Sequence, residues 1–227
     1  MNRNLKTLGL ALAVVLATSA AVASAASAAG HLTADGPVKL TGTSAGGAAT
    51  AFGFKVECHE HATVGAVGET PHGFLTPPVS AFTVQTQSTN CVATIGAILA
   101  PVTVTANGCD GVTKIGETIS AGKWGGTAEI VCPETKQIEI HAYTNSSHTS
   151  MICNVKIPPQ SGLTGGFVEN IAGGKITLGG TVTGIKATKT GILCGGAAET
   201  KSAEIHGDAV VSGTNKAGEA TAISIGD

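Results

Sequence analysis

The chain has 227 residues, 32 of them glycine, with six cysteines and a formal net charge of −2. Arg3 is its one arginine; removal of an N-terminal segment carrying Arg3 and Lys6 leaves 11 of the 13 basic residues against 15 acids, a charge of −4. Nucleic-acid and anionic-membrane recognition lean on clustered Lys and Arg, so the composition argues against both partners.

Arg3 and Lys6 precede an apolar run from Leu8 to Ala17, and small residues follow in A-x-A order, the three-part pattern of a secretory signal peptide. The apolar run is too short to span a bilayer. Cleavage fits after Ala23, Ala25 or Ala28, and the last is favoured because polar, turn-like residues come directly after it. The expected organisation is therefore a signal peptide over 1–28 and one all-β domain over 29–227, secreted to the extracellular space and not held in a membrane after cleavage.

Gly42-Thr43-Ser44-Ala45-Gly46 matches the G-x-S-x-G nucleophile elbow, but that motif needs a strand turning into a helix, and here an alternating strand follows. An ordinary turn is expected. Phe52, Phe54, Val56 and Cys58 then alternate with Lys55 and Glu57, a half-buried strand. If it continues, His59 and His61 share its polar face with Cβ atoms about 7 Å apart, close enough to hold a zinc or copper ion with a third ligand such as Glu57 or His72. A solvated strand face with scattered histidines is the competing reading.

Period-two alternation recurs at Ile138, Ile140 and Ala142 against Glu139 and His141, at Cys153, Val155 and Ile157 against Asn154 and Lys156, and from Ala203 to Val211 against Glu204, His206 and Asp208. An imidazole between carboxylates on one strand face is an acid/base or metal arrangement in form, and also an ordinary polar face. Turn signals separate the runs: Gly46-Gly47, Pro77-Pro78, Asn107-Gly108, Gly125-Gly126, Pro158-Pro159, Gly173-Gly174, Gly179-Gly180 and Asn215 to Gly218. The Gly-rich stretch from Gly162 to Gly184 keeps apolar residues coming and reads as strands with bulges or tight turns. Gly116 to Lys123 lacks the spacing of a phosphate-binding loop, and Asn145-Ser146-Ser147 is a glycosylation sequon in form.

This many short strands predict an all-β fold, an antiparallel β-sandwich with a β-barrel as the alternative. Seven aromatics remain after the signal, so the core is built from Val, Ile, Leu and Ala, thin enough to need covalent staples. Cys58, Cys91, Cys109, Cys132, Cys153 and Cys194 are an even set in an exported chain, and the nearest two are 18 apart, which suits three disulfides better than a zinc site.

The stretches from Ala106 to Asp110, from Ala128 to His141, from Cys153 to Leu163, from Gly191 to Gly195 and from Val211 to Gly218 resemble a recurrent pattern in uncharacterised secreted, Cys-containing, β-rich proteins of soil actinobacteria. The resemblance covers most of residues 50–225 and rests on cysteine and turn positions, so it speaks to fold and carries over no catalytic residue. With chain proximity it implies sequential pairing, Cys58 with Cys91, Cys109 with Cys132 and Cys153 with Cys194. The functional expectation is an exported, non-enzymatic structural or binding protein of unknown ligand, with no assigned cofactor and a partner at the cell surface or in the extracellular space. A metal-binding protein using His59 and His61, and a secreted hydrolase, are the alternatives.

Overall fold

The computed structural model describes residues 29–60, 63–67, 73–85 and 89–227; the expected signal peptide lies outside them. No helix occurs among the described residues. The strands are β1 (His31–Ala34), β2 (Lys39–Ala51), β3 (Phe54–Glu60), β4 (Thr63–Val67), β5 (Ala81–Gln85), β6 (Thr89–Ile95), β7 (Ile98–Thr105) and β8 (Asp110–Ser120). They continue with β9 (Lys123–Val131), β10 (Ile138–Tyr143), β11 (Met151–Ile157), β12 (Gln160–Ile171), β13 (Lys175–Thr190), β14 (Ala198–Thr214), β15 (Ala220–Thr221) and β16 (Ile223–Gly226).

These strands form eight staves of one wall. β2, β13 and β14 run its full length. The other five staves are consecutive strands laid end to end: β3 with β4, β5 with β6, β7 with β8, β9 with β10, and β11 with β12. The register shows this directly, because β2 pairs with β3 along Gly47 to Ala51 and with β4 along Leu40 to Thr43. Each stave pairs antiparallel with the next in sequence, and β14 returns to β2 through pairs such as Gly207↔Gly47 and Val211↔Gly42. The sheet thus closes as an up-and-down eight-stranded barrel. The all-β, disulfide-stapled fold expected from alternation is the one that forms, and closure of β14 on β2 makes it a barrel where a sandwich would have kept two open sheets.

Strand parity sorts the side chains. Leu40, Phe82, Ile115, Trp124, Val155, Ile157, Val168, Ile176, Ala203 and Val211 point inward and are buried. Lys55, Lys114, Glu129, Glu139, Lys156 and Glu204 point outward. Apolar in and polar out is the reverse of a membrane-spanning barrel.

The two ends close differently. At the upper end, where the turns at residues 52–53, 96–97, 144–150 and 191–197 lie, small and β-branched residues fill the interior, among them Ala93, Ala100, Val102, Ala142 and Ala187. All three disulfides belong to the half of the barrel nearer this end: Cys58–Cys91 across a register pair of β3 and β6, Cys109–Cys132 across the breaks that divide β7 from β8 and β9 from β10, and Cys153–Cys194 tying β11 to the 191–197 loop. Such bridges belong to an oxidising compartment.

The lower end is plugged by a ribbon, β1 paired with β16, that inserts Leu32, Ile223 and Ile225 among Phe82, Ile115, Trp124, Ile176 and Val211. Asn170 acts as an extra strand neighbour for the ribbon: its Nδ2 donates to the Ile225 carbonyl (2.8 Å) and its Oδ1 accepts the Ile225 N–H (2.7 Å). Trp124 Nε1 donates to Asp227 Oδ1 at 3.0 Å. Gly30 is packed tightly here, since a Cβ on it would lie 2.7 Å from Trp124.

Candidate functional site: a cavity at mid-barrel

Between the two packed ends the interior is left open as a cavity of about 400 Å³, bordered by all eight staves. Its origin is the size of the residues that face inward there. Gly126 on β9 pairs with Gly166 on β12, Gly166 with Gly180 on β13, Gly180 with Gly207 on β14, and Gly207 with Gly47 on β2. Five glycines therefore stand side by side across five adjacent staves, on the inner face, in the phase of buried Val168, Ile176 and Ala209. Gly47 next pairs with Cys58, whose disulfide to Cys91 extends the belt onto two more staves. Ala128, Ala209 and Gly111 flank it.

Large apolar residues bound the cavity above and below. Ile140, Ile157, Ile185 and Ile205 stand between it and a smaller void of about 30 Å³ towards the upper end. Ile205 is 39 % exposed although it shares the phase of buried Ala203 and Ala209, because its surface faces the cavity. Leu178 and Val84 belong to the wall on the lower side.

Polar groups inside are few. Ser44 is the one buried polar residue among the described residues. It faces inward from β2 beside Ala209, and its hydroxyl is engaged by its own strand, donating to the Gly46 carbonyl (2.9 Å) and accepting the Gly46 N–H (3.2 Å). This local bonding shapes a β-bulge in which Gly46 takes φ +134°, a conformation that suits glycine. Thr113, paired with Phe82 and Ala128, faces inward from the far wall. Asp110, Glu129, His206 and Asp208 border the cavity with backbone only: parity turns their side chains outward, where Glu129 meets Lys114 Nζ at 2.6 Å and His206 Nδ1 lies 3.1 Å from Thr181 Oγ1.

This geometry settles where the sequence-level candidates stand. Ser44 is within a continuous strand, and the described residues supply neither the helix nor an inward-facing imidazole that an elbow nucleophile requires. Gly46-Gly47, Gly125-Gly126 and Gly179-Gly180, read as turns, are instead mid-strand in β2, β9 and β13. Glu204, His206 and Asp208 do share one outward face, with Asp208 Oδ1 accepting the Gly180 N–H at 3.3 Å. No group of three metal-ligating side chains occurs among the described residues. The proposed pair His59 and His61 falls outside this description: β3 carries the backbone of His59, while its side chain and the whole of His61 lie beyond the described parts. Asn145 organises the 144–150 turn, its Oδ1 accepting from Ser147 Oγ at 3.1 Å and from the Thr149 N–H at 3.3 Å.

The feature that sequence reasoning missed is the belt. Its signal was present as Gly-Gly pairs and as Gly166 and Gly207 inside alternating runs. No family model, curated protein or solved structure matches the chain, so the site is defined by its own geometry.

Proposed function

We propose that this is an exported, non-enzymatic binding protein whose barrel encloses one small apolar molecule. The observation that carries the reading is the cavity of about 400 Å³ at mid-barrel, a volume in the range of small-molecule sites and in a barrel of the strand number that can hold a single ligand. An empty space of that size is expensive. At about 24 cal/mol per Å³ it forgoes on the order of 10 kcal/mol of packing, comparable to the whole stability of a domain. Water fills it poorly, because each buried water needs two to four polar partners and the inner wall offers chiefly the Ser44 and Thr113 hydroxyls. An apolar occupant resolves both costs. The N-terminal signal pattern and the three disulfides support work outside the cytoplasm, and no inward-facing pair of acid, base or nucleophile among the described residues supports turnover.

Titration of the mature protein with N-phenyl-1-naphthylamine, an uncharged fluorescent probe, tests the reading. Saturable one-to-one binding with a blue shift is expected, and Ala128→Phe, which fills the cavity, should abolish it while leaving the strand spectrum and the disulfides intact. Failure of the wild-type protein to bind, or undiminished binding by Ala128→Phe, would contradict it.

A further inference from the structure

Resting on that binding reading, we propose that the glycine belt selects the ligand: an uncharged, flat ring system that lies across the barrel with its edge in the belt formed by Gly126, Gly166 and Gly207. Three observations lead there. First, the backbone does not require glycine at these positions. None of the three has a positive φ, and an added Cβ would meet its nearest neighbour at 3.6 Å at Gly126, 3.8 Å at Gly166 and 3.7 Å at Gly207, ordinary van der Waals contacts. Gly180 is different, since its φ of +120° and the approach of the Gly165 carbonyl do demand glycine. An interior glycine weakens a strand, and at these three positions, where geometry does not need it, what the missing side chain supplies is space.

Second, the space has a shape. Neighbouring strands lie about 4.8 Å apart, so five register-paired glycines leave about 19 Å of wall without side chains. Those five staves curve round more than half of the barrel, so the bare belt widens the interior at one level, between Ile140, Ile157, Ile185 and Ile205 on one side and Leu178 and Val84 on the other. A flat molecule lying across the barrel fills such a slot with its edge towards the glycines, and a globular one does not. Third, the wall has a definite polarity. The belt's peptide groups are engaged by the sheet's own ladder and, at the Gly180 N–H, by Asp208 Oδ1 on the outer face, and parity turns every bordering charged side chain outward. A carboxylate or phosphate inside would lose its hydration with no cation to meet it, which is prohibitive. A hydroxyl or carbonyl on the ligand has Thr113 to pair with.

Competition against bound N-phenyl-1-naphthylamine, in wild type and in two glycine variants, decides the matter. Gly125 and Gly126 are adjacent on β9, but Gly125 faces outward, where a Cβ would meet the Glu117 carbonyl at 3.6 Å. Gly125→Ala is therefore the matched control for Gly126→Ala/Gly166→Ala. In wild type, 2-naphthol should displace the probe at least about a hundredfold more effectively than 2-naphthoate at neutral pH and more effectively than 1-adamantanol. In Gly126→Ala/Gly166→Ala the affinity for 2-naphthol should fall by about tenfold or more while the ligand-free melting temperature holds or rises; Gly125→Ala should bind as wild type. Equal displacement by the naphthoate or adamantanol, or wild-type affinity in the double variant, overturns the inference and leaves the binding reading standing. So does a fall in the double variant's melting temperature, which would assign these glycines to curvature of the wall. Absence of probe binding by the wild-type protein removes both.

Discussion

The two halves of this barrel share three uninterrupted staves and are otherwise stabilised by different means. The lower half contains no cysteine and is filled by large side chains: Leu32, Phe82, Ile115, Trp124, Ile176 and Val211. The upper half holds all six cysteines and a buried interior of Ala, Ile, Val and Cys with no fully buried aromatic among the described residues. Large residues remove enough apolar surface to hold a wall together, at about 25 cal/mol per Å². An interior of aliphatic residues, many of them Ala, that borders a cavity removes less, and there the chain is stapled. Cys58 of one bridge and Cys109 of another line the cavity, where packing is thinnest. The contrast indicates that the cavity is held open by covalent bonds on one side and by a dense core on the other.

Reducing the disulfides breaks the comparison most severely. Their sequence separations of 33, 23 and 41 correspond, by the chain-entropy estimate, to about 3 to 4 kcal/mol each. Denaturant unfolding with and without reductant should show a collapse of stability on full reduction, with hydrogen exchange accelerating first in β3, β6, β10 and β11. Uniform loss of protection across both halves would count against the division of labour. The next largest effect belongs to the lower plug. Leu32 is fully buried in the ribbon, and Leu32→Ala should cost about 3 kcal/mol in the same assay, with exchange rising in β1 and β16. Asn170→Ala, which orphans both the Ile225 N–H and carbonyl, should cost about 2 kcal/mol and loosen the same ribbon. The smallest change is expected outside. Lys114→Ala removes the exposed pair with Glu129, worth less than about 1 kcal/mol, and should leave probe binding untouched because that pair stands on the outer face.

Period-two alternation exposed the strands and their faces well. Ile138, Ile140 and Ala142 do face inward opposite Glu139 and His141, and Ala203 to Val211 behaves likewise. Closure was beyond local pattern, since Gly207 meets Gly47 across 160 positions of chain and either a sandwich or a barrel satisfies the same alternation. The glycine pairs show a subtler limit. Gly173-Gly174 does make a turn, with φ of +81° and +65°, whereas Gly125-Gly126 is extended strand with one residue facing solvent and the other the cavity. A glycine chosen for its backbone freedom and one chosen for the room it leaves are the same letter, and only the partner across the ladder distinguishes them. The histidine segment from His59 onward was the most chemically loaded stretch in the sequence, yet the cavity is built mainly from residues with no reactive groups at all, which motif-reading passes over.

The most direct test of a ligand-holding interior is a crystal structure of the mature protein grown with N-phenyl-1-naphthylamine. The expected result is one probe molecule at mid-barrel, its rings edge-on to Gly126, Gly166 and Gly207 and between Ser44 and Thr113. Probe density confined to the outer surface, with the interior empty or filled by water, would contradict the account.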